Sequence, residues 1–499
     1  MSANDPGLTL NSQNLERIEA AGIATVPKYD RTELTVGIVH FGVGAFHRAH
    51  QAMVVDRLLR RGLARDFAIC GVGVLPQDQS MGEDLRSQDF LYTLMLKNAD
   101  GSRDVTIIGS IVDFMFAPDD PAAVINRMAS PEVRIVSLTV TEGGYNFNQD
   151  TGEFDAKNSA VAHDVEHPDA PVSTFGLVYS ALRLRRMRGI APFTVMSCDN
   201  IQENGAVAKR SFVAYARLLD PEFADWMSAA VHFPNSMVDR ITPVTTDADR
   251  VEVHEQLQIR DLRPVVAEPF FQWVLEDDFP QGRPEFSQAG VQLVTDVEPY
   301  ELMKLRLLNA SHQAMCYFGY LAGYRYAHEA TADPEIRNLL RSYMDLEGTP
   351  SLKPVPGVDL ESYKDTLLDR FANSEVKDTL ARLCAESSDR IPKWLLPGVR
   401  VNLAADRSVA LSAAICASWA RYDESVDEEG NQIVIVDRLA SQLIEVAQSQ
   451  HDDELAFLRD SSLFGDLVED PRFTEPYLAA LHSLWSIGSK ATVATIVHH

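Results

Sequence analysis

The sequence predicts an α/β N-terminal domain built on a mostly parallel sheet, followed by a mainly α-helical C-terminal domain. Three observations carry that expectation. A chain of 499 residues exceeds the size at which a single core keeps growing. Apolar runs of strand length alternate with helix-length stretches through the first half, the pattern of βαβ units. Beyond about residue 295 that alternation stops and helical periodicity alone continues, which sets the domains at 1–295 and 296–499.

The elements follow in order. "VGIVHFGVG" (36–44) is an apolar run ending in glycines, and "AHQAMVVDRLLRRG" (49–62) after it has helical spacing and a terminal glycine. "FAICGVGVL" (67–75) reads as a second buried strand, and "VTIIGSIVDFMF" and "RIVSLTVTEGG" as two more. "STFGLVYSALRLRRMRG" and "GAVAKRSFVAYARLLD" are helices on either side of the strand "FTVMSCDN". In the second domain, "YELMKLRLLNASHQAMCYFGYLAGY", "PEIRNLLRSYMDLE", "LESYKDTLLDRFAN", "VKDTLARLCAES", "SVALSAAICASWARY" and "RLASQLIEVAQSQ" are all helical, with no convincing strand among them.

Charge narrows the partners. Asp and Glu number 72 against 45 Lys and Arg, a net charge of −27, which repels phosphate backbones and anionic lipid. Neither nucleic acid nor membrane is therefore expected; a small molecule is. The oligomeric state is open, a monomer included. Five scattered cysteines without paired short spacing suggest reduced thiols and a cytoplasmic setting. The stretch "MSANDPGLTLNSQNLERIEAAG" has neither a basic start nor an apolar core, so it does not read as a signal peptide. No apolar run reaches the length of a membrane span.

The first chemical signal is "HFGVGAFHRAH" (40–50), with Gly42 and Gly44 at the turn from first strand to first helix. Glycines there let the backbone approach a pyrophosphate seated on a helix N-terminus. The third glycine of the dinucleotide fingerprint is missing, its place taken by His47, so the pair alone is equally the mark of an ordinary turn. Its position between strand and helix favours the nucleotide. Gly42, Gly44, Ala45, Phe46 and Arg48 are then the expected cofactor contacts, with Gly71, Gly73 and Glu142 as further candidates. Asp78, just after the second strand, is placed to grip ribose hydroxyls and to repel a 2′-phosphate, which favours NAD. The competing reading is a solvated loop aspartate.

The second signal is "KLRLLNASH" (304–312) inside an apolar helix. At about 100° per residue, with Lys304 as zero, His312 falls near 80° and Asn309 near 140°, all on one broad face. A lysine drawn into such a site loses hydration, which favours the neutral amine that can accept a proton. Asn309 can donate to an oxygen gaining negative charge, and His312 can hold a second hydroxyl. For an arbitrary helix, a snorkelling lysine with local Asn and His bonds is the favoured explanation of such a pattern. Asn200, closing "SCDN" at a strand's end, is a second amide where α/β sheets collect ligands. Asp239 and Arg240 lie in "FPNSMVDRITP", read as an ordered loop, with a structural ion pair as the plain role for Arg240.

Together "HFGVGAFHRAHQA", "SLTVTEGGY", "FTVMSCDN", "FPNSMVDRITP", "EPFFQWVLED" and "YELMKLRLLNASH" resemble, in order, the signatures of the polyol-specific long-chain dehydrogenases, the mannitol 2-dehydrogenase family. The resemblance runs from about residue 36 to beyond 400. It implies a Rossmann-type first domain, a helical second domain and NAD-dependent, zinc-independent oxidation of a secondary alcohol. It implies Lys304 as general base, Asn200 and Asn309 as the oxyanion hole, His312 and Asp239 as substrate contacts, and Arg382 as the arginine reaching distant hydroxyls. The chain departs from the family at Gln77-Asp78, where a Glu-Asp pair can stand, which loosens the exclusion of NADP. The implied reaction interconverts D-mannitol and D-fructose at C2. Rivals are the same chemistry on arabinitol, sorbitol or a sugar acid such as mannonate or fructuronate, a zinc alcohol dehydrogenase using His47 and His50, and a non-enzymatic nucleotide-binding protein.

Overall fold

A computed structural model describes residues 7–147 and 153–497, so the first six residues of the N-terminal stretch lie outside it. The chain divides into two compact units between Val297 and Glu298.

The first unit is built on five parallel strands: β1 (Val36–Phe41), β2 (Ala68–Gly73), β3 (Ile111–Phe116), β4 (Ile135–Leu138) and β5 (Thr194–Ser197). They lie in the order β3-β2-β1-β4-β5, with Val39 beside both Cys70 and Val136. Helices cover both faces, which is why β1, β2, β4 and β5 are apolar along almost their whole length instead of alternating. On one face Val124, Leu177, Val178 and Phe212, from three helices, pack on Val39, Val136 and Val195. On the other, Ala52, Val55 and Leu59 of the helix Gln51–Arg60 pack on Ile38 and Ile69. Chain order reverses at β1, whose neighbours are β2 and β4, so the carboxyl ends of β1 and β4 flank the place where such sheets take ligands.

Two smaller sheets depart from the strand assignments above. The run "VTIIGSIVDFMF" is two strands, because the chain turns at Gly109 and Ser110. Arg103–Ile108 pairs antiparallel with Tyr92–Lys97, and only Ile111–Phe116 joins the main sheet. Ser110 Oγ donates to the Ala52 carbonyl (2.7 Å) and the Gly109 amide to Asp56 (2.9 Å), which pins that corner. "FPNSMVDRITP" is also not all loop. Ser236–Asp239 is a strand, antiparallel to Gln272–Glu276.

The second unit is helical, and no strand is found among its described residues. Ala410–Asp423, buried on almost every side, packs against Ala310–Leu321 and the C-terminal helix Pro471–Val497, which kinks at Gly488. "VKDTLARLCAES" shortens to Leu380–Cys384, opened by the Thr379 side chain as N-cap. Helix Pro334–Tyr343 runs directly into a π-helical turn, Met344–Gly348.

Candidate active site

After β1, Gly42 turns the chain at φ +89°, a left-handed value suited to glycine. A Cβ there would lie 2.1 Å from the Thr139 carbonyl oxygen, so the ends of β1 and β4 meet only because it is absent. The Gly42 carbonyl accepts from Thr139 Oγ1 (2.6 Å) and lies 3.1 Å from His40 Nε2. Burial pushes the His40 pKa down to about 3, so the ring is neutral.

Gly44 poses the opposite case. A Cβ there would meet nothing nearer than 3.9 Å, and the residue is exposed at the start of the short helix Ala45–Ala49. That open face beside the turn, with Ala45 and Phe46 half-buried next to it, fits the close approach of a dinucleotide phosphate. Arg48 stands behind the loop. Its guanidinium donates to the carbonyls of Gly44 (3.3 Å) and Arg263 and lies over the Tyr92 ring. Gly71 and Gly73 are buried in β2, and Cβ atoms there would meet Val43 and Asp78, so both serve close packing. Glu142 is exposed in the turn after β4.

Asp78 opens the helix Asp78–Ser87, and its Oδ2 accepts the amides of Val74 (3.0 Å) and Leu75 (2.9 Å). The carboxylate is thus held against the end of β2. His47 and His50, the pair considered for zinc, point to different neighbours. The His47 ring stacks on His40 at 3.4 Å, and His50 packs against Phe46 and Phe271. Among the described residues no three His, Cys, Asp or Glu side chains form a metal-ligand group.

Asn200 is exposed just past β5, and the buried Asp199 before it holds that loop. Asp199 accepts the amides of Thr141 (2.8 Å) and Val140 (3.1 Å) and the Tyr145 hydroxyl (2.6 Å), tying the ends of β4 and β5 together. Burial raises the Asp199 pKa against those three donors. Asn204 then links the loop to the strand of Asp239. Its amide donates to the carbonyls of Asp199 (3.0 Å) and Ser236 (2.8 Å), and its oxygen accepts the Ser236 amide (2.8 Å). Asp239 ends that strand and is buried. Arg240 is not paired with it. The Arg240 guanidinium donates to the carbonyls of Ala49 (2.7 Å) and Glu268 (3.0 Å), a structural role. Asp199 and Asn204 escaped the sequence reading because their value lies in partners tens of residues away.

In the second unit, Lys304 and Asn309 open and close a π-helical turn, Lys304–Asn309, between the helices Glu298–Met303 and Ala310–Leu321. The Ala310 amide donates to the Leu305 carbonyl, five residues back. This corrects the 100° wheel. A wider turn needs more residues to complete, so a residue five positions on returns closer to the starting direction. Lys304, Asn309 and His312 are all buried, His312 with its ring 4.7 Å from that of Phe371. Arg382 lies on the helix Leu380–Cys384, tied to the His312 helix by Gln313 donating to the Leu383 carbonyl (3.3 Å). Its Nε (2.7 Å) and Nη2 (2.5 Å) fork onto Asp378. The expected residues are thus divided between the units: the glycine loop, Asp78, Asn200 and Asp239 lie in the first, and Lys304, Asn309, His312 and Arg382, the last with an exposed side chain, in the second.

Comparison with known proteins shows a family and a fold. The family model described as mannitol dehydrogenase Rossmann domain matches residues 36–288, and that of the mannitol dehydrogenase C-terminal domain matches 296–485. A mannitol 2-dehydrogenase of Phaeosphaeria nodorum is 44% identical over 98% of this chain and 85% of its own length. One from Aspergillus fumigatus is 42% identical over 98% and 99%. The solved ternary complex of Pseudomonas fluorescens mannitol 2-dehydrogenase with NAD and D-mannitol superposes with a TM-score of 0.87, at 43% identity over 98% of this chain and all of that one. A substrate-free D-sorbitol dehydrogenase gives a TM-score of 0.89 at 36% identity, covering 94% and 97%.

Proposed function

This chain belongs to the mannitol dehydrogenase family, and from that membership we propose that it interconverts D-mannitol and D-fructose at C2, with Lys304 as general base. It is an NAD-dependent polyol oxidoreductase. Bound NAD supplies the hydride acceptor, and the open face at Gly44, the turn at Gly42 and the carboxylate of Asp78 are the parts of this chain that would hold it.

The observation that carries the reading is a buried amine on the same wide turn as a buried amide, one turn before a buried imidazole. Lys304 takes the proton of the C2 hydroxyl as the C–H bond gives up its hydride. Asn309 and Asn200 donate to the oxygen as its negative charge grows, and His312 and Asp239 orient the neighbouring hydroxyls. The fork to Asp378 leaves the Nη1 edge of Arg382 for hydroxyls farther along the polyol. In the reverse direction, Lys304 returns the proton to the reduced ketone. An amine base and amide donors suffice for this chemistry, so no metal enters the scheme. No helix among the described residues is long and apolar enough to cross a membrane, and all five cysteines are free and buried; the cytoplasmic setting remains part of the proposal.

The test is a panel of mannitol, sorbitol, arabinitol and mannonate, read by NADH absorbance with NADP run in parallel. Mannitol is expected to have the highest kcat/KM. Sorbitol in first place would favour the second reading, to which the likeness to D-sorbitol dehydrogenase points. Lys304→Ala should lose about 10² to 10⁴ in turnover while NADH binding is kept. Parental turnover in that variant would remove Lys304 from the mechanism.

A further inference from the structure

We infer that the π-helical turn bearing Lys304 and Asn309 is held open by a second π-helical turn, Met344–Gly348, through Tyr343 and Gly348, which makes these two residues positioning residues for the base. The inference rests on the assignment of Lys304 as the base.

Hydrogen bonding shows why the first turn needs a brace. A run of i→i+5 bonds that reverts to α geometry passes over one carbonyl, which then lacks its helical donor. The Ala310 amide donates to the Leu305 carbonyl, so the register changes among the carbonyls that follow, of which Arg306 is the first. The Tyr343 hydroxyl donates to the Arg306 carbonyl at 3.1 Å, in a buried setting. A donor from another helix stands at the position where the wide turn gives one up.

Packing adds a second constraint. A Cβ at Gly348 would lie 2.8 Å from Leu307 Cδ2 and 3.3 Å from the Arg306 carbonyl oxygen. Both atoms belong to the first π turn, and Leu307 is fully buried. The two wide turns therefore approach so closely that an added Cβ would have to displace the buried Leu307 side chain and crowd the Arg306 carbonyl. The Arg306 guanidinium completes the link by donating to the Ser351 carbonyl, just past the second turn.

The brace is itself anchored. Glu347, in the second turn, accepts the amides of Leu411 (2.7 Å) and Ser412 (2.9 Å) at the start of the central helix Ala410–Asp423. The Asn402 amide donates to the Glu347 carbonyl at 2.9 Å. From that helix to Glu347, to Tyr343 and Gly348, to Arg306 and Leu307, the chain of contacts ends between Lys304 and Asn309. Relaxing the turn to α geometry would rotate one of them away from the other. A misplacement of about 1 Å at reacting groups can cost about 10²-fold in rate.

The test compares Tyr343→Phe, Gly348→Ala and Lys304→Ala with the parent. Leu346→Ala is the control, since Leu346 lies in the second turn but is 63% exposed. Tyr343→Phe is expected to lower kcat for polyol oxidation about tenfold and Gly348→Ala about 10²-fold, with NADH affinity unchanged and the polyol KM less affected than kcat. The acid limb of the kcat–pH profile, which reports the base, should move by about half a unit or more. The control should match the parent. If Gly348→Ala fails to fold, Tyr343→Phe decides alone. Parental kcat and pH profile in Tyr343→Phe, or a loss that follows only the loss of folded protein, would overturn the brace. Parental turnover in Lys304→Ala would instead overturn the assignment of the base, so the two failures are told apart.

Discussion

Two glycines two positions apart do opposite work, and the difference is measurable. Gly42 is needed by the protein itself, since its φ is +89° and a Cβ would enter the Thr139 carbonyl. Gly44 faces open space. Gly42→Ala should cost more than about 4 kcal/mol or abolish folding, as read by chemical denaturation. Gly44→Ala should keep the parental stability and weaken NADH binding at least about tenfold, as read by fluorescence titration. Unchanged NADH affinity in Gly44→Ala would place the phosphates elsewhere. From the sequence both residues are members of one short motif. Which of them serves the turn and which the ligand depends on Thr139, nearly a hundred residues away.

At the scale of elements, helical periodicity located the Lys304 segment but could not show its change of pitch. The apolar spacing of residues 300–324 suits an α-helix as well as it suits an α-helix interrupted by a π turn. The same limit merged Arg103–Ile108 with Ile111–Phe116, because an apolar run does not announce a change of sheet. The element carrying Glu347 offers a pH test. Burial pushes the Glu347 pKa up to about 7 from 4.5, despite the Leu411 and Ser412 donors. A carboxyl whose pKa is raised on folding contributes stability that is complete below pH 4.5 and is lost as pH rises through 7. Across that window the loss is about 3 kcal/mol. His40 acts in the other direction. Its pKa falls from 6.5 to about 3 on folding, so its contribution is present above pH 6.5 and lost as pH falls towards 3. Comparing the parent with Glu347→Gln isolates the carboxyl. The stability difference, parent minus variant, should fall from pH 4.5 to 7 in urea unfolding. A flat difference would mean that Glu347 stays ionised throughout, held by its two amide donors.

Over the whole molecule, a net charge of −27 acts on charged ligands and leaves neutral ones alone. Added salt should speed the association of anionic NADH in stopped flow and leave the KM for a neutral polyol unchanged. A slower association in salt would reveal a local positive field at the cofactor loop strong enough to outweigh the acidic surface. By itself the sequence determined the fold class, since strand-length and helix-length apolar spacing records which faces must leave water. It also determined the residue types available for chemistry and, through the order of its motifs, the family. Only the tertiary structure decided that the Asp239 stretch is a strand, that Arg240 supports backbone carbonyls, and that Asn204 joins the Asn200 loop to that strand. It alone revealed the paired π turns around Lys304. Spacing along a chain encodes burial. The partner that satisfies a particular carbonyl, or the atom that would meet an added Cβ, is contributed from far along the sequence and exists only once the chain has folded.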